Sequence, residues 1–217
     1  MKLENHVLKA IKDFDPSEPK FSLMHACFAI EGTARNMYGS DKISRKQYKS
    51  CIRNYYWILD PMIGGGGFTI SVFNNLEIKD DRGELINDPD LADVIYHIFR
   101  CYNAHAKEVP INYELLPIED GKSYWEMGNN VLKMPQRIIW ALLAVSVFAK
   151  ANSAIKTKGE FYLSWGSETL GLGIHKFIIK DWWGKEKEFK KFLSEKNPKP
   201  IKVKLKGLDK LRLARTD

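Results

Sequence analysis

At 217 residues the chain has room for one ordinary domain with accessories, which argues against two full domains. Its 44% hydrophobic and 12% aromatic content can fill a core, which excludes wholesale disorder. The net charge of +7 lies from Lys185 onward, where twelve Lys/Arg stand against five Asp/Glu, so a nearly neutral body carries a basic tail.

Two readings of that tail stay open: contact with a polyanion such as RNA, or a solvated run that keeps the protein soluble. Cys27, Cys51 and Cys101 are odd in number and far apart, with no Cys-x-x-Cys pair. They suggest reduced cytoplasmic thiols rather than a zinc site or a disulfide framework. The amino terminus turns polar within Met1 to His6, where a secretory signal needs an apolar core. The longest apolar run, Ile138 to Ala149, falls short of the roughly 20 residues of a membrane span. The expectation is a cytoplasmic protein off the membrane.

Leu3, Val7, Leu8 and Ile11 recur at helical spacing and predict a short amphipathic helix over 2–13, interrupted by Asp15-Pro16 and Pro19. A second helix is expected from Phe21 to Tyr38, with Leu23, Ala26, Cys27, Ile30, Ala34 and Met37 on one stripe and Gly39 as its stop. Glu31 and Arg35 stand four apart on it, the spacing of an intrahelical ion pair worth a few tenths of a kcal/mol. Ser44 suits the cap of a third helix carrying Tyr48, Cys51, Ile52, Tyr55, Tyr56 and Leu59 up to Pro61. The run Gly64-Gly-Gly-Gly67 lacks the Gly-Lys-Ser/Thr of a phosphate loop and reads as a connector. Residues 68–78 fit helix or strand equally.

Asp88-Pro89 predicts the start of a strong helix, with Asp88 as N-cap and Pro89 in the first turn. Leu91, Val94, Ile95, Ile98 and Phe99 form its core stripe, and it runs through Arg100 toward His105, ending before Pro110. Strands are expected over 109–116, 161–165 and 174–181. Between the first two, a helix over 136–152, apolar nearly all round, is the expected central element, with Pro135 marking its start. Trp182-Trp183-Gly184 closes the body, and a final amphipathic helix near 186–193 leads into the basic tail. The expected layout is thus a mainly α body, 1–184, with a few short strands, and a basic carboxy-terminal segment, 185–217.

One constellation has the residue types for catalysis at close range. Asp93-Val-Ile-Tyr-His-Ile-Phe-Arg-Cys-Tyr-Asn-Ala-His105 ends a helix with an Arg and a His separated by four residues. It resembles the Arg-x(4–6)-His signature of the HEPN superfamily, found in nucleases of bacterial defence and toxin–antitoxin systems. The leading segment Leu91-Ala-Asp-Val-Ile-Tyr96 before Arg-Cys is also similar to that group. The likeness covers about residues 20–150 as a helical layout, and its specific part is Leu91 to His105. The resemblance implies a helical bundle, a homodimer with two motifs lining one cleft, RNA as substrate, no cofactor or metal, and an antitoxin or regulatory protein among the partners. It assigns catalysis to Arg100 and His105. Cys101 stands where members often carry a polar residue, a role that Asn103 could take instead. Lys107 stands where some toxins have a tyrosine that a partner nucleotidyltransferase modifies, which argues against that pairing.

The chemistry agrees. RNA cleavage requires the ribose 2′-OH to lose a proton and attack phosphorus while charge builds on the phosphate oxygens. A His with a pKa of about 6.5 exchanges protons near neutrality. A permanently charged, forked guanidinium suits the developing phosphorane. On an ideal helix, residues five apart diverge by about 140°, so Arg100 and His105 share a face only where the helix bends, ends, or meets a second copy. The competing reading makes both residues ordinary surface cations at a helix C-terminus, where the dipole favours them. Of the other histidines, His25 sits near an apolar stripe, His97 lies one turn before Arg100, and His6 and His175 show no partner in the sequence. Two further functions are a non-catalytic module of the same fold that holds nucleic acid or nucleotide, and a scaffold that binds an acidic protein through the tail.

Overall fold

The structure, a computed structural model, describes residues 1–63, 76–80, 82–100, 112–117, 126–128, 131–166 and 173–196. It is mainly helical. Helix α1, Leu3–Lys12, packs along α2, Lys20–Tyr38. The close approach falls at Gly32, where a Cβ would lie 2.9 Å from that of Leu3. Gly39 ends α2 in a left-handed conformation that glycine adopts without strain, as expected of the stop residue.

Ser44 opens α3, Arg45–Asn54, with a reciprocal capping box to Gln47. The expected single helix breaks at Tyr55 and resumes as α4, Tyr56–Ile63. Pro61 lies inside α4 rather than beyond it, removing one helical hydrogen bond. Burial of Ile58, Leu59 and Ile63 in the core accompanies that loss. The glycine run lies outside the described residues.

Helix α5, Leu91–Val94, is capped by Asp90, not Asp88. Pro89 bars its predecessor from the right-handed helical region, and Asp88 takes a φ of +50°. Asp90 is extended, accepts from the N–H of Asp93 through its carboxylate, and is capped back by the Asp93 side chain. The helix continues over Ile95–Arg100 with i→i+5 winding, in which all five side chains Ile95 to Phe99 are buried.

Strands β1, Asn112–Leu116, β2, Glu126–Gly128, and β3, Val131–Pro135, form a small sheet in the order β1-β3-β2. β1 runs parallel to β3 and β2 antiparallel to it. Pro135 ends β3 and, as expected, immediately precedes the start of the next helix. Helix α6, Arg137–Phe148, follows, with every residue from Ala141 to Phe148 buried. It lies against α2 and α4 and is the central element that its apolar composition predicts. A 3-10 turn, Lys150–Asn152, extends it.

An antiparallel ribbon of β4, Tyr162–Trp165, and β5, His175–Ile178, runs into a helical turn, α7, Ile179–Trp182. The strand expected to reach residue 181 is thus cut short. Helix α8, Glu186–Lys196, docks through Phe189 and Leu193, and the Phe189 ring stacks on Phe148 at 3.7 Å. The basic stretch 197–217 lies outside the described residues. Among the described residues, no helix is long and apolar enough to cross a membrane.

Candidate functional site

Of the residues that sequence reasoning assigned to catalysis, Arg100 is described, whereas Asn103 and His105 lie outside the described residues. Arg100 is the last residue of the widened turn after α5. Its Nη2 donates to Glu31 Oε2 at 3.2 Å, reaching from the end of this turn to the middle of α2. The other oxygen of the same carboxylate accepts from Arg35 Nη2 at 2.5 Å. The expected Glu31–Arg35 pair therefore exists, but it is two-thirds of a triad in which one carboxylate holds two guanidiniums side by side.

Arg100 is also held from its own helix. Its guanidinium carbon lies 5.4 Å from the centre of the Tyr96 ring, a cation–π contact. The Tyr96 ring meets Tyr48 edge-on at 5.4 Å, and the buried Tyr48 hydroxyl donates to the Cys27 carbonyl of α2 at 3.1 Å. Burial keeps that phenol protonated, well above its ordinary range. Arg100 is thus oriented from two directions, by Glu31 of α2 and by Tyr96 of its own segment. Its side chain is 23% exposed, against 48% for Arg35, so the triad opens toward solvent on the Arg35 side.

His97 does not share the solvent-facing side of this group. It is buried, with its ring edge-on to Tyr96 at 4.9 Å. His6 and His25, for which the sequence showed no pairing, face each other across α1 and α2 with Nδ1 atoms 3.0 Å apart. Burial and the neighbouring His25 lower the His6 pKa to about 4, so at neutral pH it adds no charge near Glu31 and Arg35. His175 lies edge-on to Phe192 at 4.9 Å, in the aromatic cluster under α8.

A second ionic cluster sits at the start of the same segment. Lys49 of α3 donates to Asp93 at 2.6 Å, while Arg53 donates to both Asp90 and Asp93. Burial works against the ionised form of Asp90, yet the bonds from Arg53 and from the Asp93 capping interaction bring its pKa down to about 2. Asp93 is 4% exposed. Sequence reasoning missed this cluster and the roles of Glu31 and Tyr96 next to Arg100. The available signals were the Asp90-x-x-Asp93 capping spacing and the i, i+4 spacing of Tyr96 and Arg100.

Comparison with known proteins places the chain in a family. It matches the Rv1289 family over residues 2–208 and belongs to it. It is similar to the uncharacterized proteins Mb1320 of Mycobacterium bovis and Rv1289 of Mycobacterium tuberculosis. Each is 27% identical over 195 residues, covering 87% of this chain and 86% of the relative. No solved structure matches the chain.

Proposed function

We propose that the protein is a metal-independent endoribonuclease of the HEPN type, acting in a toxin or defence role. The observation that carries the reading is the setting of Arg100, the first residue of the Arg-x4-His motif. It is a half-buried guanidinium fixed by a carboxylate and an aromatic face at the end of a helix. An arginine held this way can meet charge developing on a phosphate without first being ordered.

In the proposed reaction His105 takes the proton of the ribose 2′-OH, and O2′ forms a bond to phosphorus. The P–O5′ bond then breaks, the 5′ oxygen takes a proton from water or from His105 of a second copy, and a 2′,3′-cyclic phosphate remains. Arg100 stabilises the phosphorane, and Asn103 positions the substrate. A homodimer with paired motifs belongs to this proposal, and sedimentation should report twice the chain mass at micromolar concentration. The basic segment 197–217 supplies affinity for RNA rather than chemistry.

The test is cleavage of single-stranded RNA by purified protein in excess chelator. An all-deoxy strand of the same sequence should survive, since it has no 2′ nucleophile. Arg100→Ala and His105→Ala should each lower the rate at least roughly a hundredfold, and Asn103→Ala less. Cleavage that survives His105→Ala undiminished, or that chelator abolishes, sinks the mechanism. The alternative, a dimeric module that holds nucleic acid or nucleotide without cutting it, would then take its place.

A further inference from the structure

We propose that Arg35 and Arg100, splayed on the two oxygens of Glu31, form a two-guanidinium seat for an RNA phosphodiester, with Glu31 as its positioning residue. This rests on the ribonuclease reading for its substrate class but not for its geometry.

Arg35 Nη2 takes Oε1 and Arg100 Nη2 takes Oε2, so one carboxylate fixes the two guanidiniums as neighbours. Two cations that share one carboxylate repel each other, and the carboxylate between them offsets that repulsion. The three groups together carry one positive charge. Glu31 is 16% exposed and Arg100 23%, so the carboxylate and one guanidinium are partly withdrawn from water, where their charges act more strongly than at the surface. The Tyr96 ring supports the Arg100 guanidinium from its own helix. Arg35, about half exposed, presents the face that solvent or a ligand can reach. A phosphodiester is tetrahedral, with two non-bridging oxygens sharing one negative charge. Its charge matches the triad, and its two oxygens match a pair of forked donors. His6, which senses both Glu31 and Arg35, is held neutral at neutral pH by burial and so adds nothing to this count.

The arrangement predicts different faults from its members. Arg35 contacts the phosphate and should act on binding. Glu31 acts through the two arginines and should act on turnover.

The test uses the full chain with a single-stranded RNA for cleavage and the same strand, 2′-O-methylated throughout and so not cleavable, for equilibrium binding. Arg35→Ala should weaken binding of the methylated strand about tenfold, the worth of one charge-assisted hydrogen bond. It should flatten the slope of log affinity against log salt by roughly 0.7, and its cleavage defect should fall on KM rather than kcat. Arg35→Lys should restore part of the affinity, as a point charge without the fork. Glu31→Gln makes the site more positive, so simple charge attraction predicts tighter RNA binding with an unchanged rate. A positioning role predicts the opposite sign in turnover, a kcat about tenfold lower. Circular dichroism and melting confirm that each variant is folded.

An unchanged affinity and salt slope in Arg35→Ala overturns the seat, as does faster or unaltered turnover in Glu31→Gln. The two proposals fail separately. If methylated RNA depends on Arg35 and Arg100 but no RNA is ever cut, the seat stands and the nuclease reading falls. If RNA is cut through Arg100 and His105 while Arg35→Ala binds normally, the seat falls and the nuclease stands.

Discussion

At the start of the segment Asp90–Arg100, Asp90 and Asp93 meet Lys49 and Arg53 of α3. At its end, Arg100 meets Glu31 of α2, which already holds Arg35. Both clusters fasten the same segment to a neighbouring helix, but on different plans. The first pairs two carboxylates with two cations, places Asp93 almost out of solvent, and ties the ion pairs into a helix cap. The second shares one carboxylate between two cations and leaves one of them half in water. The contrast teaches that ion pairs on one segment divide between holding the fold and presenting a charge. A buried pair is costly to break because the surviving partner is left without solvent, while an exposed one costs little.

The largest expected effect follows from that. Asp93→Ala leaves the Lys49 ammonium, 16% exposed, without its carboxylate and removes half of the Asp90 capping box. It should destabilise the protein by about 3 kcal/mol or more in urea unfolding. Arg100→Ala, at the other end, should cost about 1 kcal/mol while abolishing most activity. Equal losses of stability in the two variants would erase the distinction between the clusters.

Acid should loosen the α1–α2 contact and the Asp90 end of the segment at different pH. The His6 and His25 pKa values are both lowered, His6 to about 4, first by burial. A histidine whose folded pKa is depressed binds fewer protons folded than unfolded, so its stability is full above about pH 6.5 and falls as pH drops toward 4. The groups that act on the pair are the chain amino terminus, Lys9, Asp13, Glu31 and Arg35. Asp90, depressed to about 2, works in a lower window: its contribution is full above about pH 4 and is lost on descending toward 2. Melting temperature should therefore fall in two stages, and His6→Gln should flatten only the upper one. A single descent below pH 4, unchanged by His6→Gln, would mean that the α1–α2 contact does not titrate.

How much of this could be seen in the residues depends on sequence distance. α1, α2 and the Glu31–Arg35 pair are written in spacings of three and four, which a helix converts directly into contact. The Ser44 cap and the buried α6 were legible for the same local reason. Two aspartates competed for the α5 cap, and the winner was decided by Pro89 acting on its predecessor and by Arg53, a residue from another helix. β2 and β3 are three and five residues long, too short for alternation to stand out. The Glu31–Arg100 bond joins positions 69 apart, and the His6–His25 contact depends on how α1 docks. Neither is a property of any window of sequence. The i→i+5 winding over Ile95–Arg100 has no composition of its own and could not be read from the residues.

The smallest expected effect is the sharpest check on the contrast, because it concerns a pair that sequence alone made structural. Arg35–Glu31 is an i, i+4 pair in which the arginine is 48% exposed. Such pairs are worth about 0.3–0.5 kcal/mol, and salt screens them. Arg35→Ala should therefore shift the urea midpoint barely at low ionic strength and not measurably in molar salt. Asp93→Ala should keep most of its penalty in molar salt, since Asp93 and Lys49 sit where counterions penetrate poorly. The comparison is made by unfolding both variants at low and high salt against the parent. A large, salt-insensitive loss in Arg35→Ala would show that this arginine is a strut of the fold. It would then be no more available to a ligand than Lys49, and the two clusters would be one kind of thing.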